Sequence, residues 1–265
     1  MHPNRRRTLT VASLLATALL ALAPLHAHAQ ASPPVRLTLM SAGAFKQVVL
    51  GRLADFQSRT GIQVDLVGDT AGGLLKRIEG GQTFDLVVIT LDGVRKLAQA
   101  GAVDAASVTP VAKAGIGVGV RAGAAKPALA TVDQFKQAVR EAGKVAYVDP
   151  ASGGSSGIYL HRLFGELGMA SEVAAKAVLV QGGLAADRVA NGQADMALQQ
   201  VSEILPVKGV QLAGMLPEAI QSYTTYGAGI STRSAHADAA RALLQALTGD
   251  EAAELIRGLG MQPAK

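Results

Sequence analysis

From Val35 onward, short β-branched runs alternate with longer stretches in which apolar residues recur every three or four positions. A chain written this way folds into a largely parallel sheet covered by helices. Residues 35–39 read as the first strand. The stretch after them sets Phe45, Val48, Val49, Leu53 and Phe56 on one helix face, and Gly61 stops it. Residues 63–67, 74–79 and 84–90 continue as strand, helix and strand. A new segment opens after Thr109-Pro110, with a strand at 114–121, a helix near 132–142 and an apolar strand at 144–148. That strand runs into the loop 149–157, from which a helix at 158–167 departs. Strands at 178–181 and 194–199 follow, and from Tyr226 the chain returns through a strand to helices at 237–247 and 251–259. The order predicts an α/β protein of two lobes with a ligand cleft at the hinge: lobe one from 30 to 112, lobe two from 113 to 224, and a return to lobe one over 225–265.

The first 29 residues read as an export signal rather than as part of this fold. Arg5, Arg6 and Arg7 precede an apolar run at 9–22, and Ala27-His28-Ala29 has the small-x-small pattern of a cleavage site. The run is shorter than the ~20 residues of a membrane span and ends at Pro24. The expected location is the periplasm, and the Arg6-Arg7 pair leaves both the general secretory and the twin-arginine routes open. Removing the leader leaves 22 Lys and Arg against 20 Asp and Glu. With that near balance and no basic block interleaved with aromatics, nucleic acid is not an expected partner. No later stretch has the length and apolarity of a membrane span.

Cysteine is absent, and His161 and His236 are the only histidines beyond the leader. Thiolate chemistry and His/Cys metal clusters are therefore excluded, and no Asp-rich loop has the spacing of a calcium site. The expected chemistry uses no metal and no cofactor.

Three small-residue loops follow strands and precede helices: Ser41-Ala42-Gly43-Ala44, Asp69-Thr70-Ala71-Gly72-Gly73, and residues 152–157. In open α/β sheets ligands sit beyond the carboxyl ends of the strands, where free N–H groups at helix starts attract anions. Small residues admit a ligand to the backbone, and the Ser41, Thr70, Ser155 and Ser156 hydroxyls add donors. Any one such loop is explained by simple capping; three in register point to a binding site. Residues 153–157 also spell G-x-S-x-G, the nucleophile elbow of α/β-hydrolases, for which His236, beside Asp238, would be the triad histidine. His161, one turn beyond that loop, reads as a helix-surface residue or a cleft residue. Lys76, Arg77 and Arg188 read as solvated helix charges or as ligand counter-charges.

Around these loops the chain resembles the molybdate-binding receptors, the ModA-like type II periplasmic binding proteins. The likeness rests on Leu75-Lys76-Arg77-Ile78-Glu79-Gly80-Gly81 followed by Phe84-Asp85-Leu86, and on Val148-Asp149-Pro150 leading to Ser156-Gly157-Ile158-Tyr159. It implies a small anion held at a hinge between two lobes, and an ABC permease as partner. The family's ligand hydroxyls fall at Ala44, Gly72 and Gln200, and its backbone donors at Ser156 and Gly182-Gly183. Two hydroxyls thus become small side chains and a third becomes an amide, which predicts a larger cavity suited to an organic acid. One group similar to this family, the periplasmic aconitate isomerases, interconverts trans- and cis-aconitate by an allylic proton shift. The resemblance implies either that activity or a non-catalytic receptor for a carboxylate or oxyanion. The expected contacts are Ser41, Gly43, Ala44, Thr70, Ala71, Gly72, Ser155, Ser156, Gly157, Gly182, Gly183 and Gln200. Asp69 is the first candidate for the base, with His161 and Glu203 behind it.

Overall fold

The computed structural model describes residues 34–264, and the export signal expected at residues 1–29 lies outside them. Strand β1 (Arg36–Ala42) leads into α1 (Gly43–Thr60), followed by β2 (Gln63–Asp69), α2 (Ala71–Glu79), β3 (Leu86–Thr90) and α3 (Leu91–Gln99). Then come β4 (Thr109–Arg121), α4 (Val132–Glu141), β5 (Val145–Val148), α5 (Ser155–Glu166), α6 (Ala170–Ala174), β6 (Ala177–Val180) and α7 (Ala186–Ala190). The chain continues through β7 (Met196–Gln200), α8 (Val201–Ile204), β8 (Val210–Met215), β9 (Tyr223–Ile230), α9 (Ala237–Thr248), α10 (Asp250–Gly258) and β10 (Gln262–Pro263).

Helix α1 buries Phe45, Val48, Val49 and Phe56 on one face, with Leu53 packed against the same core. It stops at Gly61, whose φ of 71° lies in the left-handed region that glycine enters without a steric penalty. Strand β1 lies between β2 and β3, all three parallel. Helices α1 and α2 therefore start from the same edge of the sheet. The second group repeats the arrangement, with β5 between β6 and β7 in parallel.

Strand β4 joins the two groups. Its first part, up to Gly115, pairs with β9, and its second part pairs with β7 and β8. Pro110 has no N–H to give the ladder, and it is accommodated where the register against β9 shifts. The buried core divides at the same place. One cluster runs from Leu37 to Ala114 and resumes at Tyr226, whereas the other two draw only on residues between Ile116 and Leu216. Two halves with separate cores are thus connected by β4 going out and β9 coming back. Among the described residues no helix is long and apolar enough to cross a membrane.

Candidate functional site

Three strand-to-helix junctions meet around one pocket. Ala42, Gly43 and Ala44 come from the start of α1; Asp69, Thr70 and Ala71 from the start of α2; Gly154, Ser155 and Ser156 from the start of α5. Val148, Gly183, Glu203 and Tyr226 complete the wall. The first-turn N–H groups of a helix have no partner within it. Neither Ala42, which precedes α1, nor Gly154, which precedes α5, supplies a side-chain cap. Two helix starts thus present uncapped donors to the cavity, each worth ~0.3–1 kcal/mol to a nearby negative charge and up to ~2 when partly buried. Helix α2 differs, since Thr70 Oγ1 accepts the Gly73 N–H at 3.0 Å.

The cavity is smaller than the replaced hydroxyls suggest. Its volume is about 40 Å³, room for roughly three waters. Glycine at position 72 is the physical reason. Its N–H donates to Gly153 O at 3.0 Å, and a β-carbon there would stand 2.8 Å from Gly153 Cα. Thr70 Oγ1 also donates to Ser152 O. With no side chain at 72 the two halves touch, and that contact forms a roof next to the wall residues Thr70, Ala71 and Gly154. An adjoining space of about 120 Å³ shares Gly43, Asp69, Gly183 and Glu203 and is bordered outside by Lys46 and Gln47. Lys46 is exposed, and no ion pair or hydrogen bond holds its ammonium among the described residues.

Two carboxyl groups line both spaces. Asp69 Oδ2 is paired with Arg77 at 2.8 Å, its side chain is 23% exposed, and its Oδ1 accepts the Thr70 N–H at 2.7 Å. A carboxylate has about four acceptor positions, so each oxygen keeps a free lone pair. Glu203 is buried, and its Oε1 lies so close over Gly43 that a β-carbon there would come within 2.3 Å of it. Burial pushes the Glu203 carboxyl up from 4.5 to about 8, with the Gln199 amide acting the other way. The Tyr226 hydroxyl lies 3.3 Å from Ser155 Oγ. Burial raises its pKa, the Glu203 charge adds to the rise, and Ser155 and Gln200 oppose it, so the phenol stays protonated.

Of the residues singled out from the sequence, Gly43, Ala44, Asp69, Thr70, Ala71, Ser155, Ser156, Gly183 and Glu203 line the cavity. The other expected contacts and His161 do not. Ser41 is fully buried and donates to Ala42 O. Gly72 belongs to the roof, and Gly157 packs on Val148 O, which a β-carbon would meet at 2.1 Å. Gly182 is exposed. Gln200 is buried where β7, β4 and β9 converge; with its carbonyl accepting from Thr224 Oγ1 at 3.0 Å, its NH₂ reaches Gly115 O at 3.0 Å and Ala114 O at 3.3 Å. His161 is exposed on α5. Ser155, the centre of the G-x-S-x-G match, has the Tyr226 hydroxyl as its side-chain partner rather than a histidine. The sequence names Tyr226 only as the start of a strand, with no role at the site, and ranks Glu203 low. The signal for Glu203 was present, since it is the sole charged residue in the run 196–207.

Residues 37–262 match the model of a family described as bacterial extracellular solute-binding protein. An aconitate isomerase from Pseudomonas sp. is 33% identical over 255 residues, covering 94% of this chain and 95% of that one. Among solved structures, the periplasmic molybdate-binding protein of Azotobacter vinelandii superposes with a TM-score of 0.72 at 19% identity, covering 86% of this chain and 100% of that one. The sulfate-binding protein of Mycobacterium tuberculosis H37Rv gives 0.64 at 19% identity, covering 87% and 88%. These likenesses bear out the α/β type II periplasmic binding protein fold expected from the sequence. With the family model matched across nearly all of the described residues, this chain belongs to the bacterial extracellular solute-binding proteins.

Proposed function

We propose that this chain is a cofactor-independent aconitate isomerase that acts in the periplasm after export by the leader at residues 1–29. The observation that carries the reading is the 33% identity to an aconitate isomerase along 94% of the chain. The cavity supports it chemically. Uncapped N–H groups at α1 and α5, with the Ser155, Ser156 and Tyr226 hydroxyls, suit carboxylates. A tricarboxylate of twelve heavy atoms exceeds 40 Å³, so it occupies the joined inner and outer spaces once the Gly72–Gly153 roof parts. Lys46 then offers a cation to the outermost carboxylate.

The reaction needs one proton to move across three carbons. Asp69 is the proposed base: it removes a methylene proton, the C–H pair becomes a new C=C bond, and the former C=C pair takes a proton at the old vinyl carbon. Charge accumulating on the conjugated carboxylate is held by the helix-start amides, donors already fixed before reaction. A chromatographic assay started from either isomer tests this directly. Both reactions should converge on one mixture without added metal or nucleotide, and a mixture that never changes would overturn the assignment.

The second reading is a non-catalytic receptor that delivers a carboxylate or oxyanion to an ABC permease. It is favoured by the family match and by the molybdate- and sulfate-binding neighbours. In that case trans-aconitate or another anion would raise the melting temperature without turnover.

A further inference from the structure

An anion cavity with a buried acid in its wall presents a conflict. The donors around this one are neutral: first-turn amides, the Ser155 and Ser156 hydroxyls, and the Tyr226 phenol. The two acids differ in how their charge is balanced. Asp69 has Arg77 at 2.8 Å and reaches solvent. Glu203 has no ion pair among the described residues, and only 8% of its surface is exposed. Next to it in the chain are Val201 and Ser202 on α8 and Gln200 on β7, all uncharged. The Gln199 amide accepts the Ala185 N–H at 2.7 Å and donates to Gly183 O at 2.9 Å, and its bond to Glu203 favours the charged form without outweighing burial. From the other elements packed around the two spaces, the ionisable groups are Asp69 at the end of β2, Lys46 on α1 and Tyr226 on β9. Arg77 on α2 is held by Asp69.

We propose that Glu203 sits in this cavity as a neutral carboxylic acid and donates its O–H to a carboxylate of the bound anion. The geometry requires the carboxyl to be there. Its Oε1 is seated over Gly43, at the start of α1, in a place that any other residue at 43 would fill. An ionised Glu203 would put a second negative charge against the ligand in a water-poor site, where such repulsion is large. A protonated Glu203 removes the repulsion and adds a donor. The same burial that lifts its pKa to about 8 makes the neutral form outnumber the ionised one by roughly ten to one at pH 7. Glu203 then adds affinity only while protonated, and binding becomes coupled to proton uptake at alkaline pH. The proposal rests on the anion-binding reading of the cavity, not on turnover.

Difference infrared spectroscopy of the ligand-free protein against Glu203→Gln tests the protonation state with no ligand present. At pH 7 the wild-type protein should show a neutral-carboxyl C=O band that the variant lacks, and in the wild type alone that band should fade with a midpoint near pH 8. Absence of the band at pH 7 overturns the proposal whether or not aconitate binds. Calorimetry with trans-aconitate at pH 9, in buffers of different ionisation enthalpy, tests the donor role. Wild type should take up close to one proton on binding. Glu203→Gln should take up none and keep affinity within ~10-fold, because its amide still donates, whereas Glu203→Met, which cannot donate, should lose ~10-fold or more beyond that. Binding by the wild type without proton uptake, or equal binding by the Gln and Met variants, would overturn the donor role. Absence of any trans-aconitate binding, with the infrared band present, would count against the aconitate reading and leave the neutral acid standing.

Discussion

Two acids of one cavity are distinguished by their surroundings, and each supports a different expectation. Asp69 keeps its charge partner in Arg77 and some contact with water. Replacing it by Asn retains an acceptor for the Thr70 N–H and removes the proposed base. Turnover of aconitate should fall ~10²–10⁴-fold, while calorimetric affinity changes only a few-fold. Normal turnover by Asp69→Asn would move the base elsewhere in the cavity. Glu203 has a stability signature of its own. Its folded pKa of about 8 stands above the 4.5 of the free group, so the folded state binds the extra proton. Stability is fully present below 4.5 and is lost as pH rises through 8, by up to ~1.4 kcal/mol per pH unit. Glu203→Gln lacks this slope. Its melting temperature should gain on the wild type steadily from pH 5 to pH 8 and then run parallel; a constant difference across that range would show that Glu203 is ionised in the fold.

At the scale of elements, the cavity is made by junctions more than by side chains. Helices α1 and α5 begin without side-chain caps, and α2 begins at the residues that form the roof. Gly72→Ala tests the roof, because its β-carbon must push Gly153 away from a 2.8 Å approach. In the proposed opening of the site this contact is broken. The variant should therefore bind trans-aconitate more weakly, by about tenfold, with a melting temperature in the absence of ligand close to that of the wild type. A large loss of stability would mean that the contact belongs to the fold itself.

Most of these elements were legible in the sequence, since periodicity reports which face of a helix or strand is buried. The face of α1 and its stop at Gly61 follow directly from the spacing of Phe45, Val48, Val49, Leu53 and Phe56. Strand β4 is longer than the reading that began it at 114, because Pro110 reads as a break and the fold absorbs it at a register shift. Helix α3 was passed over, although it carries Val94 and Leu97 inward at helical spacing. Strand β8 was missed as well; half-buried along its whole length, it shows no alternation. The site was legible where it is backbone, at residues 43–44, 69–71 and 155–156. Tyr226 was not, because it reaches the cavity through the pairing of β9 with β3 and β4, and no local pattern encodes that long-range register.

In the whole molecule, two halves with separate cores are joined by β4 and β9, and the Thr70–Ser152 and Gly72–Gly153 contacts hold them together over the cavity. In the proposed mechanism those contacts open to admit the ligand. A bound anion that touches α1 on one half and α5 on the other favours the closed form, since only there does it meet both. Small-angle scattering should give a smaller radius of gyration with saturating trans-aconitate than without; an identical radius would mean a rigid pocket.

The central claim is a proton shift inside that closed form, and heavy water reads it most directly. Proton NMR of trans-aconitate with purified protein in deuterium oxide should show cis-aconitate growing to a steady ratio. Deuterium should appear at the carbon that receives the proton, because Asp69 is 23% exposed and exchanges with solvent. Bound trans-aconitate whose geometry and isotopic content stay unchanged would contradict the claim and leave a receptor in its place.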